Sequence, residues 1–377
     1  MSKEIPETMR AAVLRDPEIG LQVETIRTPH PNDGEVLIKV TACGMCHSDL
    51  HVIGGKIAFP LPAVLGHEVT GEIVEIGPNT EHFNFAVGQH VSGAFLMPCG
   101  QCEFCAAGRD DLCAPFFDLN RLKGQLYDGH TRLFGVDGEP IAMYSMGALA
   151  EYCVIPATSI AVLEHGMDLT ASAILGCAAL TGYGAVRRGA NLHYGETVAV
   201  VATGGIGSNI IQVAKAFGAA QIIAIDVADE KLQAAKELGA THTINSTQED
   251  VRTAVFEITH GRGVDVAFEA LGRPETWTSA LDALRDGGRM VPIGLGAGVQ
   301  TAAVEINRTV RRSQSILGSY GARTRQDLPV VVKMAAAGKI DYQHIVTQKF
   351  ALEDAGKGYS LLAQGKIQGR AVVEMSL

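Results

Sequence analysis

The sequence has no uninterrupted apolar run of about 18 residues, so no segment reads as a membrane-spanning helix. Its start, MSKEIPETMR, mixes acids with bases around no apolar core. A secretory signal is therefore not expected, and a cytoplasmic chain is. Positive charge is also short: the formal net charge is −10, which argues against nucleic acid or an anionic membrane as partner. No segment of about 20–50 residues repeats, which excludes a solenoid or a propeller.

What is present is a chain of 377 residues, 47% hydrophobic and 19% charged. That length is too great for one ordinary core, so two domains are expected. The 43 glycines point to many tight turns and to backbone packed closely. Residues 10–90 carry short β-type runs, such as EVLIKVTAC and EVTGEIVEIG, bounded by turn residues. They predict an antiparallel, partly barrel-like domain. Residues 99–150 hold a cysteine cluster and then a polar stretch, DLNRLKGQLYDGHTRLFGVDGEP, of little periodicity. That stretch reads as an excursion held by metal, or as a lid. Near residue 178 the character changes. TVAVVA, QIIAIDV, VDVAFEA and RMVPIGL alternate with helical segments, which predicts βαβ units on a parallel sheet. The tail after residue 321 resembles the first domain more than a further βαβ unit.

Eight cysteines in a reducing compartment do not make a disulfide framework. Cys99, Cys102, Cys105 and Cys113 form C-x2-C-x2-C-x7-C. One loop of that spacing can wrap a tetrahedral ion, and four protein ligands leave no open position. The expectation is a structural zinc lobe over 97–115. An iron–sulfur cluster is the rival, since C-x2-C-x2-C also begins some ferredoxin motifs. Three other segments pair a possible ligand with glycine: GMCHSD (44–49), GHE (66–68) and LGCAALTGYG (175–184). Singly each is weak, because a lone Cys in an apolar run is usually a core filler.

Taken in order around the cysteine lobe, these segments resemble the zinc-containing medium-chain alcohol dehydrogenases. The pattern Gly66-His67-Glu68, Gly71, Gly77 and Gly88 is similar to that family's zinc signature. The resemblance runs from about residue 10 to the C-terminus. It implies a discontinuous GroES-like catalytic domain, 1–178 plus 322–377, around a doubly wound Rossmann domain at 179–321. It implies two zinc ions and NAD, with the active site between the domains. Cys46, His67 and Cys177 match the catalytic ligands, a Cys2His set with one open tetrahedral position. Asp49 would fix the tautomer of His67. Glu68 would approach the metal during ligand exchange. Ser48 and His51 match a proton relay, which suits an imidazole that titrates near neutrality. His47 and Arg370 match pyrophosphate contacts. Thr181 matches a residue beside the nicotinamide, and Phe95 a wall of the substrate cleft, where Ser48 leaves room.

The strand–turn–helix TVAVVATGGIGSNIIQVAKA carries the dinucleotide fingerprint. Gly204, Gly205, Ile206 and Gly207 would meet the pyrophosphate, but Ala202 stands where the first glycine is expected. Ala202 can serve there only with a negative φ or an altered turn. Asp226, ending the next strand, would take the adenosine ribose and select NAD over NADP, with Lys231 beside it. Gln89 departs from the family's usual Asp, with local effects expected. The activity implied is interconversion of a primary, secondary or aromatic alcohol with its aldehyde or ketone. Two enzymatic alternatives stand: a protein with permanently bound NAD, and a thiol-adduct formaldehyde dehydrogenase. A non-catalytic metal- or NAD-binding protein is the alternative of a different class. Relatives are homodimers or homotetramers.

Overall fold

The computed structural model describes residues 5–296 and 298–377. The chain divides into two compact units. The first holds residues up to 177 with 323–336 and 342–377, and the second holds 178–322 and 337–341.

The first unit is built on the strand Glu35–Gly44, EVLIKVTACG, in which eight of ten residues are buried. Its β-branched residues suit a pleated interior. It pairs antiparallel with Val69–Ile76 and Tyr152–Pro156. Its far end pairs antiparallel with the C-terminal strand Arg370–Glu374, Val372 opposite Gly44 and Val373 opposite Cys43. The tail therefore returns to this sheet, and it sets Arg370 beside the loop that follows Gly44. Gln89 spends its side chain locally, accepting from Ala86 N at 3.0 Å within its own turn.

The polar stretch after the cysteine lobe carries short regular elements between its turns. Residues Phe116–Arg121 form a π-helical turn. Leu133–Phe134 and Pro140–Met143 then enter a five-stranded sheet with Thr8–Leu14, Leu21–Arg27 and Ala63–Val64. The stretch is pinned by a buried ion pair that its composition does not reveal. Arg132 Nη2 donates to Glu35 Oε1 at 2.6 Å and to Asp128 Oδ2 at 2.8 Å.

The second unit carries a six-stranded sheet whose strands, numbered along the chain, lie in the order 3-2-1-4-5-6. All of its pairings are parallel. Thr197–Val201 and Val264–Glu269 are neighbours at the reversal of strand order. Ligands of such sheets bind outside the carboxyl ends of the strands at that point.

Of the two alternatives for Ala202, the structure takes the altered turn. Ala202 does not keep a negative φ: it stands at φ +70°. Its N–H still donates to Ile225 O at 2.8 Å, so the chain must reverse within one residue to start the helix Gly205–Ala216. A left-handed conformation costs a non-glycine residue about 1–2 kcal/mol. Gly207 is demanded by the same turn, because a Cβ there would lie 2.0 Å from Ala202 O. Ala202→Gly is expected to raise unfolding stability by about 1 kcal/mol, seen as a higher urea midpoint at unchanged slope. An unchanged or lower midpoint would mean that the turn carries no such strain.

Candidate metal centres and cofactor strand

The four sulfurs of Cys99, Cys102, Cys105 and Cys113 lie within 4.8 Å of one another. Backbone N–H groups point at them: Cys99 N donates to Cys113 Sγ at 3.2 Å, and Cys102 N to Cys99 Sγ at 3.3 Å. Burial pushes the Cys105 thiol up to about 12, while hydrogen bonds outweigh the burial of Cys102 and bring it down to about 7. Four crowded thiolates need a cation, and an all-thiolate tetrahedral set fits zinc. The lobe is tied down by Asp110, which is fully buried. Asp110 accepts from Arg325 N at 3.0 Å and from Arg325 Nη2 at 2.7 Å.

A second group gathers Cys46, His67, Glu68 and Cys177, with ligand atoms again within 4.8 Å. Local structure places each one. Cys46 caps the helix His47–Ile53, and Cys177 ends the 3-10 turn Ala171–Gly176. His67 follows Gly66, whose φ is +95° and whose Cβ would meet Cys43 Sγ and Leu149 N at 2.7 Å. His67 Nδ1 bonds Asp49 Oδ1 at 3.0 Å, which leaves Nε2 to face a cation. Asp49 is fully buried and also accepts from Gly66 N at 3.3 Å and Tyr359 Oη at 2.8 Å.

The thiols of Cys46 and Cys177 share a hydrogen bond. That bond holds Cys46 well below the ordinary thiol range, with the charges of His67 and Arg370 assisting against burial. The same bond and burial push Cys177 up. Both oxygens of Glu68 lie 2.5 Å from Arg370 Nη2. Glu68 is thus engaged by Arg370, and three soft or imidazole donors remain. Two thiolates and an imidazole fit zinc with a position left open.

Around this centre Ser48 Oγ lies 3.7 Å from Cys46 Sγ. Ser48 and His51 are three apart on one helix, hence on neighbouring faces. Phe95 stands edge-on to His67 with ring centroids 6.2 Å apart. Tyr144 does the same at 5.8 Å, and the Arg121 guanidinium lies 4.3 Å over its ring.

In the second unit Gly204 precedes the helix that Gly205, Ile206 and Gly207 begin. A Cβ on Gly204 would meet nothing within 4 Å, so space stands open above the turn for a phosphate group. Asp226 is buried and ties the turn to its own strand. Its Oδ2 accepts from Thr203 N at 2.8 Å, and its Oδ1 from Val227 N at 2.8 Å. Lys231 Nζ is 4.0 Å from Asp226 Oδ1. Thr181 lies buried in the helix Ala178–Gly184, in which Gly182 packs on Asn209.

Residues 32–165 match the model of the alcohol dehydrogenase GroES-like domain, and residues 205–337 that of the zinc-binding dehydrogenase. The chain belongs to the zinc-containing medium-chain alcohol dehydrogenases. An S-(hydroxymethyl)glutathione dehydrogenase of Photobacterium damsela subsp. piscicida is 34% identical, over 95% of this chain and 97% of that protein. An NDMA-dependent alcohol dehydrogenase of Amycolatopsis methanolica is 32% identical, over 95% and 96%. The solved structure of benzyl alcohol dehydrogenase from Acinetobacter calcoaceticus superposes with a TM-score of 0.90 at 30% identity, over 98% and 99%. This alcohol dehydrogenase uses zinc and a nicotinamide cofactor, as the matched domains of its family do.

Two residues of this dehydrogenase escape a reading of its sequence. Tyr359 sits in an ordinary amphipathic helix, and only the fold brings its hydroxyl to Asp49. Glu269 ends an apolar strand at the reversal point, fully buried. Its Oε1 accepts from Leu271 N, Gly272 N and Thr276 Oγ1. Its Oε2 has no partner among the described residues. An orphaned acceptor at the carboxyl end of that strand fits a cofactor lying across the sheet. An acid closing VDVAFEA was the available signal.

Proposed function

We propose that this chain interconverts small primary, secondary or aromatic alcohols with their aldehydes or ketones, using NAD. Cys46, His67 and Cys177 would hold one zinc ion, and Cys99, Cys102, Cys105 and Cys113 a second. The convergence of the first three on one buried centre, with Glu68 beside them paired to Arg370, carries the reading. When bound, zinc supplies a Lewis acid for the substrate oxygen, and NAD+ a hydride acceptor.

The chain's own residues supply the rest. Asp49 holds the tautomer of His67, and Tyr359 holds Asp49. The Ser48 hydroxyl takes the substrate's proton and passes it toward His51. Phe95 and Tyr144 form an apolar wall beside His67, which favours hydrocarbon or aromatic substituents over polyols. His47, Thr181, the turn Gly204–Gly207, Lys231 and Arg370 are assigned to the cofactor. Asp226 accepts from its ribose and repels a 2′-phosphate. Asp226→Gly is expected to weaken NAD about 10–100-fold, the loss of a charge-assisted pair of hydrogen bonds, and to admit NADP. Titration of both cofactors by NADH fluorescence quenching or steady-state rates checks this. Unchanged preference would remove Asp226 from the selection.

Homodimers or homotetramers are supported by the second unit. Its sheet ends on the short strand Ser315–Ile316, and Val299, Ile306 and Val310 nearby are exposed. All eight cysteines are free, which suits a reducing cytoplasm. No described helix is long and apolar enough to cross a membrane.

One preparation tests the reading: metal per chain, bound nicotinamide, and absorbance at 340 nm with benzyl alcohol or ethanol plus NAD+. Two zinc ions, no retained nucleotide and NADH production support it. Retained nucleotide with no free NADH favours a permanently bound cofactor, a reading encouraged by the NDMA-dependent relative. A rate that requires glutathione with formaldehyde favours the thiol adduct, as the name of the Photobacterium relative suggests. One zinc ion or none overturns the mechanism.

A further inference from the structure

A cavity of about 770 Å³ opens within the first unit, walled by the helices His47–Ile53 and Ala355–Ala363 and by the strand Leu21–Arg27. The first helix turns His47, Leu50 and His51 into it, and the second turns Gly356, Lys357 and Ser360. In each helix the outer two positions are four apart and the third lies three from one of them, so they share one face.

Its titratable lining is His47, His51, Lys56, Glu353, Lys357 and Tyr359. Two of the six are already committed elsewhere. Tyr359 donates its hydroxyl hydrogen bond to Asp49, and Glu353, the one carboxylate in the lining, is drawn to Arg10. His51, Lys56 and Lys357 have no side-chain partner among the described residues. Lys56 is also fixed beside His51: the N–H groups of Lys56 and Ile57 both donate to His51 O, at 2.8 and 3.0 Å. On a chain of net charge −10 this is a basic recess with its only acid engaged. Such a concave cluster of like charge concentrates anions.

We propose that the cavity binds a small dibasic oxyanion between Lys56, Lys357 and His51, and that this anion takes the proton leaving His51. The second half of the proposal rests on the relay assigned above. In alcohol oxidation the hydride carries two electrons to NAD+, and the hydroxyl proton reaches the His51 imidazole. Hydrogen phosphate then accepts that proton, leaving dihydrogen phosphate and neutral imidazole. No further oxidant or reductant is needed.

The test uses the zinc-loaded enzyme with inorganic phosphate as probe, at fixed pH and ionic strength. Lysine acetylation mapped by mass spectrometry reads occupancy, and single-turnover NADH formation reads proton transfer. The expected result is that phosphate shields Lys56 and Lys357 but not Lys39, with or without saturating NADH. NADH formation should rise severalfold and saturably over the same concentrations. Lys56→Gln/Lys357→Gln should keep the phosphate-free rate and lose the saturable rise. Absence of shielding, or shielding that saturating NADH removes, overturns the site. A rise that never saturates and survives in the double variant is solution buffer catalysis, and overturns it equally. Shielding without any rate effect keeps the anion site and overturns its proton role. His51→Gln separates the two readings: if its turnover is normal the relay itself fails, whatever the shielding.

Discussion

Cys46→Ser is expected to abolish measurable alcohol oxidation while the protein stays folded with its second metal in place. The Cys46 thiol is the most easily ionised of the three donors in its centre, held down by its bond to Cys177 and by the nearby positive charges. A serine hydroxyl does not ionise there and is a poor ligand for zinc, which favours thiolate and imidazole. Even disturbing a residue that merely orients a ligand costs about 10–100-fold in metal affinity or activity, and losing a ligand costs more. The lobe at Cys99–Cys113 is built from separate residues and anchored by Asp110 to Arg325, so it should be untouched. Metal analysis should fall from two ions per chain to one, with the thermal midpoint little changed. Near-normal activity in this variant would dismiss Cys46, His67 and Cys177 as the working centre.

Arg370→Leu is expected to cost about 1–3 kcal/mol of stability, because it leaves Glu68 buried without its partner and makes it take up a proton. Glu68 is fully buried, and among the described residues Arg370 is its one charged partner in a hydrogen bond. Burial pushes Glu68 up to about 7 even against the opposing pull of Arg370. No rearrangement of Glu68 is easy, since Gly44 is packed against it: a Cβ on Gly44 would lie 2.1 Å from Glu68 Oε2. Glu68→Leu/Arg370→Leu should be more stable than Arg370→Leu alone, because a missing pair is better tolerated than a lone buried acid. Urea unfolding of the three proteins checks the order. A double variant no more stable than the single one would mean that the pair is not what holds this corner.

The sequence and the structure agree most closely where a spacing is local. C-x2-C-x2-C-x7-C needs one loop to bring its sulfurs together, and it does. Apolar strands in alternation with helices suffice for the parallel sheet of the second unit. The dispersed set is different in kind. Nothing in the chain's local pattern carries Cys46 to Cys177; only resemblance joins them before the fold does. The polar stretch after Cys113 was unreadable because its strands are short and its anchor is one ion pair, Arg132 with Glu35, reaching back 97 residues. At Ala202 the sequence leaves two turns open, for another reason. Propensity assigns a left-handed turn to glycine, and the strand-to-helix geometry overrides that preference at one residue.

The return of the last strand has a consequence during synthesis on the ribosome. Arg370 follows Glu68 by 302 residues. At about 5–20 residues per second the nascent chain makes Glu68 roughly 15–60 s before its counter-ion exists. The cysteine lobe, by contrast, is translated within a few seconds from end to end, so its four sulfurs are all available while most of the protein is still unmade. The donor set at Cys46 is complete only once Cys177 is made, and its Glu68 gains a counter-ion only with the last strand. The order of translation thus separates the two donor sets in time.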